Sequence, residues 1–368
     1  MASCFCRCWC ICFSNIKCVK SAGWKLGTDP NFPICEIGDR SEGENNLLLE
    51  ILFIIIGFIF LVKGADLLVK SATSIAKKFG LSEMLIGLTI VAIGTSLPEI
   101  FITITSSING HSDLIIGNAI GSCICNFLFV IGISAIVRPV KFDNRIIKRH
   151  LPISVMAMLL LLFLGNTTKL GEIHIIDRWQ GIALLICTIL YIIYTIYEEK
   201  KLKDKKIDDE IIKEVESKEV KSVWTIIIFF ILGILGLKFG SDFVVDNSIL
   251  IAGSLGLSER FIGMTIVAVG TALPEIITGI ISAKRDESDL LLGNITGSNI
   301  LNLCLLVGLG AIINPLRFTA NFNSSVFVLI AVTICLQLMA TLNKNRELDR
   351  KKGILLIVVY IIYILSML

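Results

Sequence analysis

Charge is scarce in this chain. Lys, Arg, Asp and Glu make up 18% of its 368 residues, and the net charge is only +3. That balance gives no basic surface for nucleic acid. Histidine is nearly absent as well. His111, His150 and His174 are dispersed near segment ends, so the sequence has no His/Cys zinc spacing. Prolines number only seven. What fills the chain is apolar: 54% of the residues are hydrophobic, and the mean hydropathy is +0.81. Such a profile excludes a soluble domain and predicts a polytopic membrane protein.

Seven of the twelve cysteines lie in the first 35 residues, five of them alternating from Cys4 to Cys12. Residues 1–46 are polar and mixed, and predict a flexible extension. This stretch does not read as a secretory signal, because its apolar run is short and broken by Arg7. The remaining cysteines (Cys123, Cys125, Cys187, Cys304 and Cys335) fall in apolar segments, where a thiol acts as a small hydrophobe.

Ten apolar segments follow the extension, near 47–79, 82–108, 113–137, 146–164, 174–197, 222–254, 258–283, 289–313, 324–342 and 353–368. The longest internal polar stretch, 198–221, divides them five and five. Residues 80–139 align without a gap on 256–315, an offset of 176, and about half the positions are identical. The offset reaches upstream, where Gly64-Ala65-Asp66 matches Gly240-Ser241-Asp242. An internal repeat of this strength is an architectural signal. An odd number of spans per repeat sends the two halves into the membrane from opposite sides. The predicted fold is therefore an all-α polytopic membrane protein, with ten transmembrane helices arranged as two inverted five-helix repeats, 47–197 and 222–368. Transporters built this way carry their site at the midplane between halves.

Basic residues sort the loops. One side holds Lys77, Lys78, Arg138, Lys141, Arg145, Lys148, Arg149, the lysines of 200–221, Lys284, Arg285 and the cluster Lys344 to Lys352. The other holds only Lys169, Arg178, Arg260 and Arg317. The basic side is expected to be cytosolic, including loop 198–221. Two sequons, Asn166-Thr167-Thr168 and Asn323-Ser324-Ser325, then fall on the opposite side.

Inside the repeat, Gly94-Thr95-Ser96-Leu97-Pro98-Glu99 returns as Gly270-Thr271-Ala272-Leu273-Pro274-Glu275. A carboxylate at mid-membrane depth costs about 2.5–3.5 kcal/mol on insertion scales, so two of them at equivalent positions point to a function. Pro98 lacks an N–H and clashes with the carbonyl of Gly94, which predicts a kink and freed backbone oxygens. Thr95 and Ser96 share the face of Glu99 at i,i+4 and i,i+3. Asn118, Ser122 and Asn126 step by four along the next segment, as do Asn294, Ser298 and Asn302. Nearly all these groups offer oxygen, which suits Ca²⁺ or Na⁺ rather than zinc or copper. The runs Gly117 to Gly121 and Gly293 to Gly297 also read as G-x-x-x-G packing seams. Asp66 and Asp242 are open between helix packing and an ion path.

At these residues the chain resembles the calcium/cation antiporter superfamily, in its sodium/calcium exchanger-like branch. The resemblance covers roughly 47–368 and rests on the duplicated G-T-S-L-P-E and G-N-x-x-G-S-x-x-x-N patterns. It implies that Glu99 and Glu275 take Ca²⁺ and Na⁺ alternately. It further implies that Thr95, Ser96, Ser122 and Asn126 assist in one half, and Thr271, Ser298 and Asn302 in the other. Backbone carbonyls near Ala92 and Ala268 resemble the family's sodium ligands. Two positions depart from symmetry: Ala272 stands opposite Ser96, and Cys123 opposite Asn299. Asn302 resembles potassium-independent members, and the short 198–221 loop leaves no room for a calcium-sensing domain. The expected activity is Na⁺/Ca²⁺ antiport in the plasma membrane, without a cofactor and without catalysis. A proton/calcium exchanger is the alternative, with a cation channel and an intramembrane enzyme as more distant rivals.

Overall fold

The computed structural model describes residues 25–26, 35–36, 47–170, 173–206, 223–254, 268–342 and 345–367. The expectations for most of the Cys-rich extension, for 207–221 and for the start of the seventh segment fall outside the described residues. Within the extension, β1 (Lys25–Leu26) and β2 (Cys35–Glu36) pair antiparallel.

The first half contains α1 (Leu47–Phe79), α2 (Glu83–Thr95), α3 (Leu97–Ile108), α4 (Ser112–Val137) and α5 (Ile146–Thr167), then α6 (Arg178–Lys206). The second half contains α7 (Val223–Ser254), α8 (Ala268–Thr271), α9 (Leu273–Lys284), α10 (Ser288–Ile313), α11 (Ala320–Leu342) and α12 (Arg350–Met367). Among the described residues, seven helices are singly long and apolar enough to cross a membrane. The pair α2 and α3, bent by 46°, makes an eighth. Of the ten expected segments, the seventh runs through α8 and α9 from undescribed residues, and the tenth is α12, whose first turn holds Arg350, Lys351 and Lys352.

The chain is mostly helical, as expected, with one addition. Short antiparallel strands tie the loops: β3 (Val140–Lys141) pairs with β7 (Glu347–Leu348), and β5 (Ile173–Ile176) lies between β4 (Thr168–Leu170) and β6 (Leu316–Arg317). Helix α6, the fifth expected segment, therefore begins at Arg178, not at 174, because Ile173–Ile176 is spent on pairing. Both repeat-equivalent strands, β3 and β6, find their partners in the opposite half.

The linker boundary also moves. Helix α6 continues to Lys206, and Glu198 and Glu199, which open the expected linker, are buried. Glu199 accepts hydrogen bonds from the Ser82 amide (2.6 Å) and hydroxyl (2.7 Å). The same Ser82 oxygen accepts from the Leu85 amide and caps α2. Glu198 pairs with Arg149. These partners offset the cost of burying two carboxylates.

Helices α4 and α10 form the centre. Burial covers 67% and 83% of their apolar windows, against 28% for α1, α6 and α7. The outer helices expose many large hydrophobic side chains, as expected where lipid is the solvent. Trp179 and Trp224 are exposed in the first turns of α6 and α7, the place where indoles anchor at a membrane interface. Asn166 and Asn323, the heads of the two sequons, donate to one another's carbonyls at 2.8 and 3.1 Å. Their side-chain amides thus bridge α5 and α11.

Helices α1 and α7 touch backbone to backbone. A Cβ on Gly64 would lie 2.7 Å from the Leu237 nitrogen and 2.9 Å from the Gly233 oxygen. One on Gly240 would lie 2.7 Å from the Gly57 oxygen. Gly57 and Gly64 stand exactly one repeat offset from Gly233 and Gly240, so each half contributes the same pair of notches. The result is a two-helix unit with no room for a side chain along its seam.

Candidate cation-binding site

The duplicated motif folds into a duplicated break. Helix α2 ends at Thr95, Ser96 leaves helical geometry at φ −84°, ψ 6°, and α3 restarts at Leu97. Helix α8 ends at Thr271, Ala272 takes φ −86°, ψ −2°, and α9 restarts at Leu273. Each proline becomes the second residue of a new helix, where its missing N–H costs nothing. Each glutamate follows in the same first turn, Glu99 in α3 and Glu275 in α9. That end of a helix favours negative charge.

Both carboxylates are buried, with 1% of Glu99 and 2% of Glu275 exposed. They lie close enough for their charges to interact. Thr95, on α2, donates to the Asn294 side-chain oxygen on α10 at 3.2 Å. Residues from both halves therefore meet at one place. Close packing brings α10 there: a Cβ on Gly293 would lie 2.7 Å from the Met84 oxygen, and one on Gly297 only 2.5 Å from the Leu88 oxygen. The expected packing seam is real in this copy. In the other copy the nearest described neighbour of a Gly117 Cβ is Phe322 at 3.9 Å, an ordinary contact. The equivalents of Met84 and Leu88, residues 260 and 264, lie outside the described residues.

Across the molecule, buried helical hydroxyls usually return to a carbonyl one turn back, as Thr73, Thr89, Ser154, Thr188, Thr195 and Thr333 do. Several others do not: the hydroxyls of Ser96, Thr103, Thr278 and Ser298, and also of Ser134 and Ser282, have no such bond. Ser96 Oγ, Ser298 Oγ, one oxygen each of Glu99 and Glu275, and the Oδ1 atoms of Asn126 and Asn302 are buried without a hydrogen-bond partner. A buried polar atom left so costs about 1–3 kcal/mol, so a concentration of them marks a place where a ligand is the partner. These six are oxygens, and two belong to carboxylates, which is the donor chemistry of a hard cation; Asn118 on α4 instead leaves its side-chain nitrogen buried without a partner. Among the described residues no group of three or more His, Cys, Asp or Glu could hold a metal.

Not every expected residue stands free. The Ala92 carbonyl already accepts from the Ser96 amide at 3.1 Å and, more weakly, from the Thr95 hydroxyl at 3.4 Å. The Gly270 carbonyl, expected to be freed by Pro274, accepts from Ser241 at 2.8 Å. Ser122 and Thr271 are only half-buried. Ala268 opens α8. Asp66 and Asp242 are drawn into ion pairs away from the glutamates: Asp66 with Lys70 and Arg285, Asp242 with Lys238. One feature had no sequence signal. A π-helical turn begins at Asn126 and another spans Leu301–Leu306, so both terminal asparagines sit on over-wide turns. Such turns recur at functional sites.

Comparison with known proteins bears on these arrangements. The sequence profile of a family described as sodium/calcium exchanger protein matches residues 49–197 and 225–368. CaxA of Alkalimonas amylolytica is 35% identical over 322 residues, spanning 86% of this chain and 98% of its own. The sodium/calcium exchanger MaX1 of Methanosarcina acetivorans is 30% identical over 315 residues, 77% of this chain and 89% of its own. The solved structure of the sodium-calcium exchanger NCX_Mj, soaked with zero Na⁺ and Ca²⁺, superposes with a TM-score of 0.74 at 31% identity, covering 88% of this chain and 100% of that one.

Proposed function

The chain belongs to the sodium/calcium exchanger protein family, and on that premise we propose that it exchanges Na⁺ for Ca²⁺ at a site built on Glu99 and Glu275. Cation antiport follows from membership of the family; the choice of Na⁺ and the location of the site are the proposal. The observation that carries it is a pair of buried carboxylates at the duplicated breaks, with buried partnerless oxygens on helices of both halves.

Two carboxylates balance one Ca²⁺. The same pair balances two Na⁺, so the ions compete for the same charge and neither full set fits beside the other. Competition of this kind makes exchange obligatory. Thr95, Ser96, Ser122 and Asn126, with Thr271, Ser298 and Asn302, complete the oxygen shell, and the Ala92 and Ala268 carbonyls serve Na⁺. We read the chain as ten spans in two inverted repeats, 47–197 and 222–368, joined by a cytosolic linker in the plasma membrane. The pairing of β3 and β6 with the opposite half supports that symmetry. The glycine-welded α1–α7 unit is the natural moving part, since it slides as one body without repacking side chains.

The test is tracer Ca²⁺ uptake into proteoliposomes under imposed Na⁺, K⁺ or H⁺ gradients. Uptake is expected to follow an outward Na⁺ gradient alone, and Glu99→Gln or Glu275→Gln to abolish it. Flux driven by a pH gradient and indifferent to Na⁺ would assign proton/calcium exchange instead. Flux that survives both substitutions would remove the glutamates from the site.

A further inference from the structure

Asn299 lies one position after Ser298 on α10 and is fully buried. Its side-chain nitrogen donates to the backbone carbonyl of Cys123 at 3.3 Å. Its side-chain oxygen accepts from the Asn126 nitrogen at 2.9 Å. The polarity of this chain is forced from one end. A backbone carbonyl only accepts, so the Asn299 amide must turn its NH₂ towards Cys123. Its oxygen then faces Asn126, and Asn126 must offer its own NH₂ to that oxygen. The Asn126 oxygen is left as the outward end, buried and without a protein partner.

We propose that Asn299 is a positioning residue that locks the Asn126 amide with its oxygen, not its NH₂, presented to the transported cation. This rests on the reading of Asn126 as a ligand. The two ends of an amide have nearly the same shape but opposite polarity, so packing alone selects weakly between them. Presented with NH₂ first, Asn126 would repel Ca²⁺ or Na⁺ where it should bind it. The lock also explains an inequality between the halves. The repeat equivalent of Asn299 is Cys123, whose thiol donates weakly to the Asn299 backbone carbonyl at 3.5 Å. A thiol cannot accept and donate as an amide does, so Asn302 has no counterpart of this lock from its equivalent position. Asn126 is the fixed amide ligand of the site, and Asn302 the adaptable one.

A double-mutant cycle tests this, read as Ca²⁺ and Na⁺ affinity by calorimetry on the purified protein and as exchange in proteoliposomes. Asn299→Ala is expected to weaken Ca²⁺ binding about tenfold, the scale of one lost orienting hydrogen bond near a charge. On an Asn126→Ala background there is no amide left to orient, so Asn299→Ala is expected to change the remaining affinity less than about twofold. Asn299→Ser keeps a small polar group beside Cys123 but is too short to hold the Asn126 amide, and should show the same split if alanine fails to fold. An equal loss in both backgrounds, or none in either, overturns the positioning role while leaving exchange intact. A wild-type protein that binds neither ion overturns the exchange reading, and the ligand role of Asn126 with it.

Discussion

The hydroxyl of Ser241 donates a 2.8 Å hydrogen bond to the backbone carbonyl of Gly270. Pro274 can offer that carbonyl no helical N–H, so Ser241 supplies the missing donor. The bond ties α7, half of the glycine-welded unit, to the helix that precedes Glu275. In the first half the position of Ser241 is Ala65, which has no hydroxyl to give Gly94. The two kinks are therefore finished differently: Ser241 on α7 supplies a donor to Gly270, and Ala65 on α1 has none for Gly94. If α1 and α7 slide during exchange, this bond breaks in each cycle. Ser241→Ala is expected to raise the initial rate of Na⁺-driven Ca²⁺ uptake, by up to roughly fivefold for a bond worth about 1 kcal/mol. An unchanged or slower rate in proteoliposomes would mean that the bond persists through the cycle.

The contact between α2 and α10 is less forgiving. A Cβ on Gly297 would sit 2.5 Å from the Leu88 oxygen and 2.8 Å from its Cα, all of it backbone. Gly297→Ala is expected to cost about 1–3 kcal/mol, the range for overpacking a close-fitted interior. It should lower the thermal unfolding midpoint in detergent and weaken Ca²⁺ binding together, because Ser298 moves with α10. Gly94→Ala should cost less. There the obstacle is the Ile234 side chain, with Cδ1 at 2.8 Å, which can rotate away. Equal losses in the two variants would argue against backbone contact as the cause.

Much of this was legible in the sequence, for physical reasons that also mark where legibility ends. The offset of 176 located both breaks, because proline acts on the helix that carries it. It located Glu99 and Glu275, because a carboxylate in an apolar run has no packing role to hide behind. The strand Ile173–Ile176 overlaps the expected fifth segment, since a short apolar run satisfies either period until a partner strand is known. Glu198 and Glu199 were read as linker because their burial depends on Ser82 and Arg149, which lie far away in sequence. The use of Gly270 by Ser241 was hidden likewise, and so was the Asn126–Asn299–Cys123 chain. Local chemistry could be read from spacing, whereas pairings across the two halves had to be seen.

Glu287, in the loop between α9 and α10, gives a pH dependence. Burial pushes its carboxyl up to about 7, with the nearby Glu83 adding to the rise. Thr73, Arg285 and Lys77 oppose it. A carboxyl that binds its proton more tightly when folded stabilises the protein below its unfolded value, the ordinary 4.5. That contribution is lost as pH rises through about 7. The protein should therefore unfold at a lower temperature at pH 8 than at pH 5 by this group's share, and Glu287→Gln should flatten that difference. The check is a series of thermal melts across this range for both proteins. A wild-type slope that Glu287→Gln leaves intact would assign the effect to other groups.

Ser96 separates a ligand from a packing residue. It is buried, its hydroxyl has no partner, and its repeat equivalent is Ala272. The second half thus already builds the same break around a methyl group, with Ala272 in nearly the same backbone geometry as Ser96. Removing the hydroxyl therefore threatens no fold. If Ser96 is only packing, Ser96→Ala raises the midpoint by the same amount with and without Ca²⁺, because a desolvated hydroxyl is gone in both states. If it is a cation ligand, the substitution has opposite effects on two measurements. The ion-free protein gains stability of about 1–3 kcal/mol, because a desolvated hydroxyl is gone. Cation binding weakens, because one oxygen of the shell is gone. Thermal melts with and without saturating Ca²⁺ read both at once. The expected outcome is a higher midpoint than wild type in chelator and a smaller Ca²⁺-induced rise. A Ca²⁺-induced rise equal to that of wild type would take Ser96 out of the shell and leave the first half with Thr95, Ser122 and Asn126 as its neutral ligands.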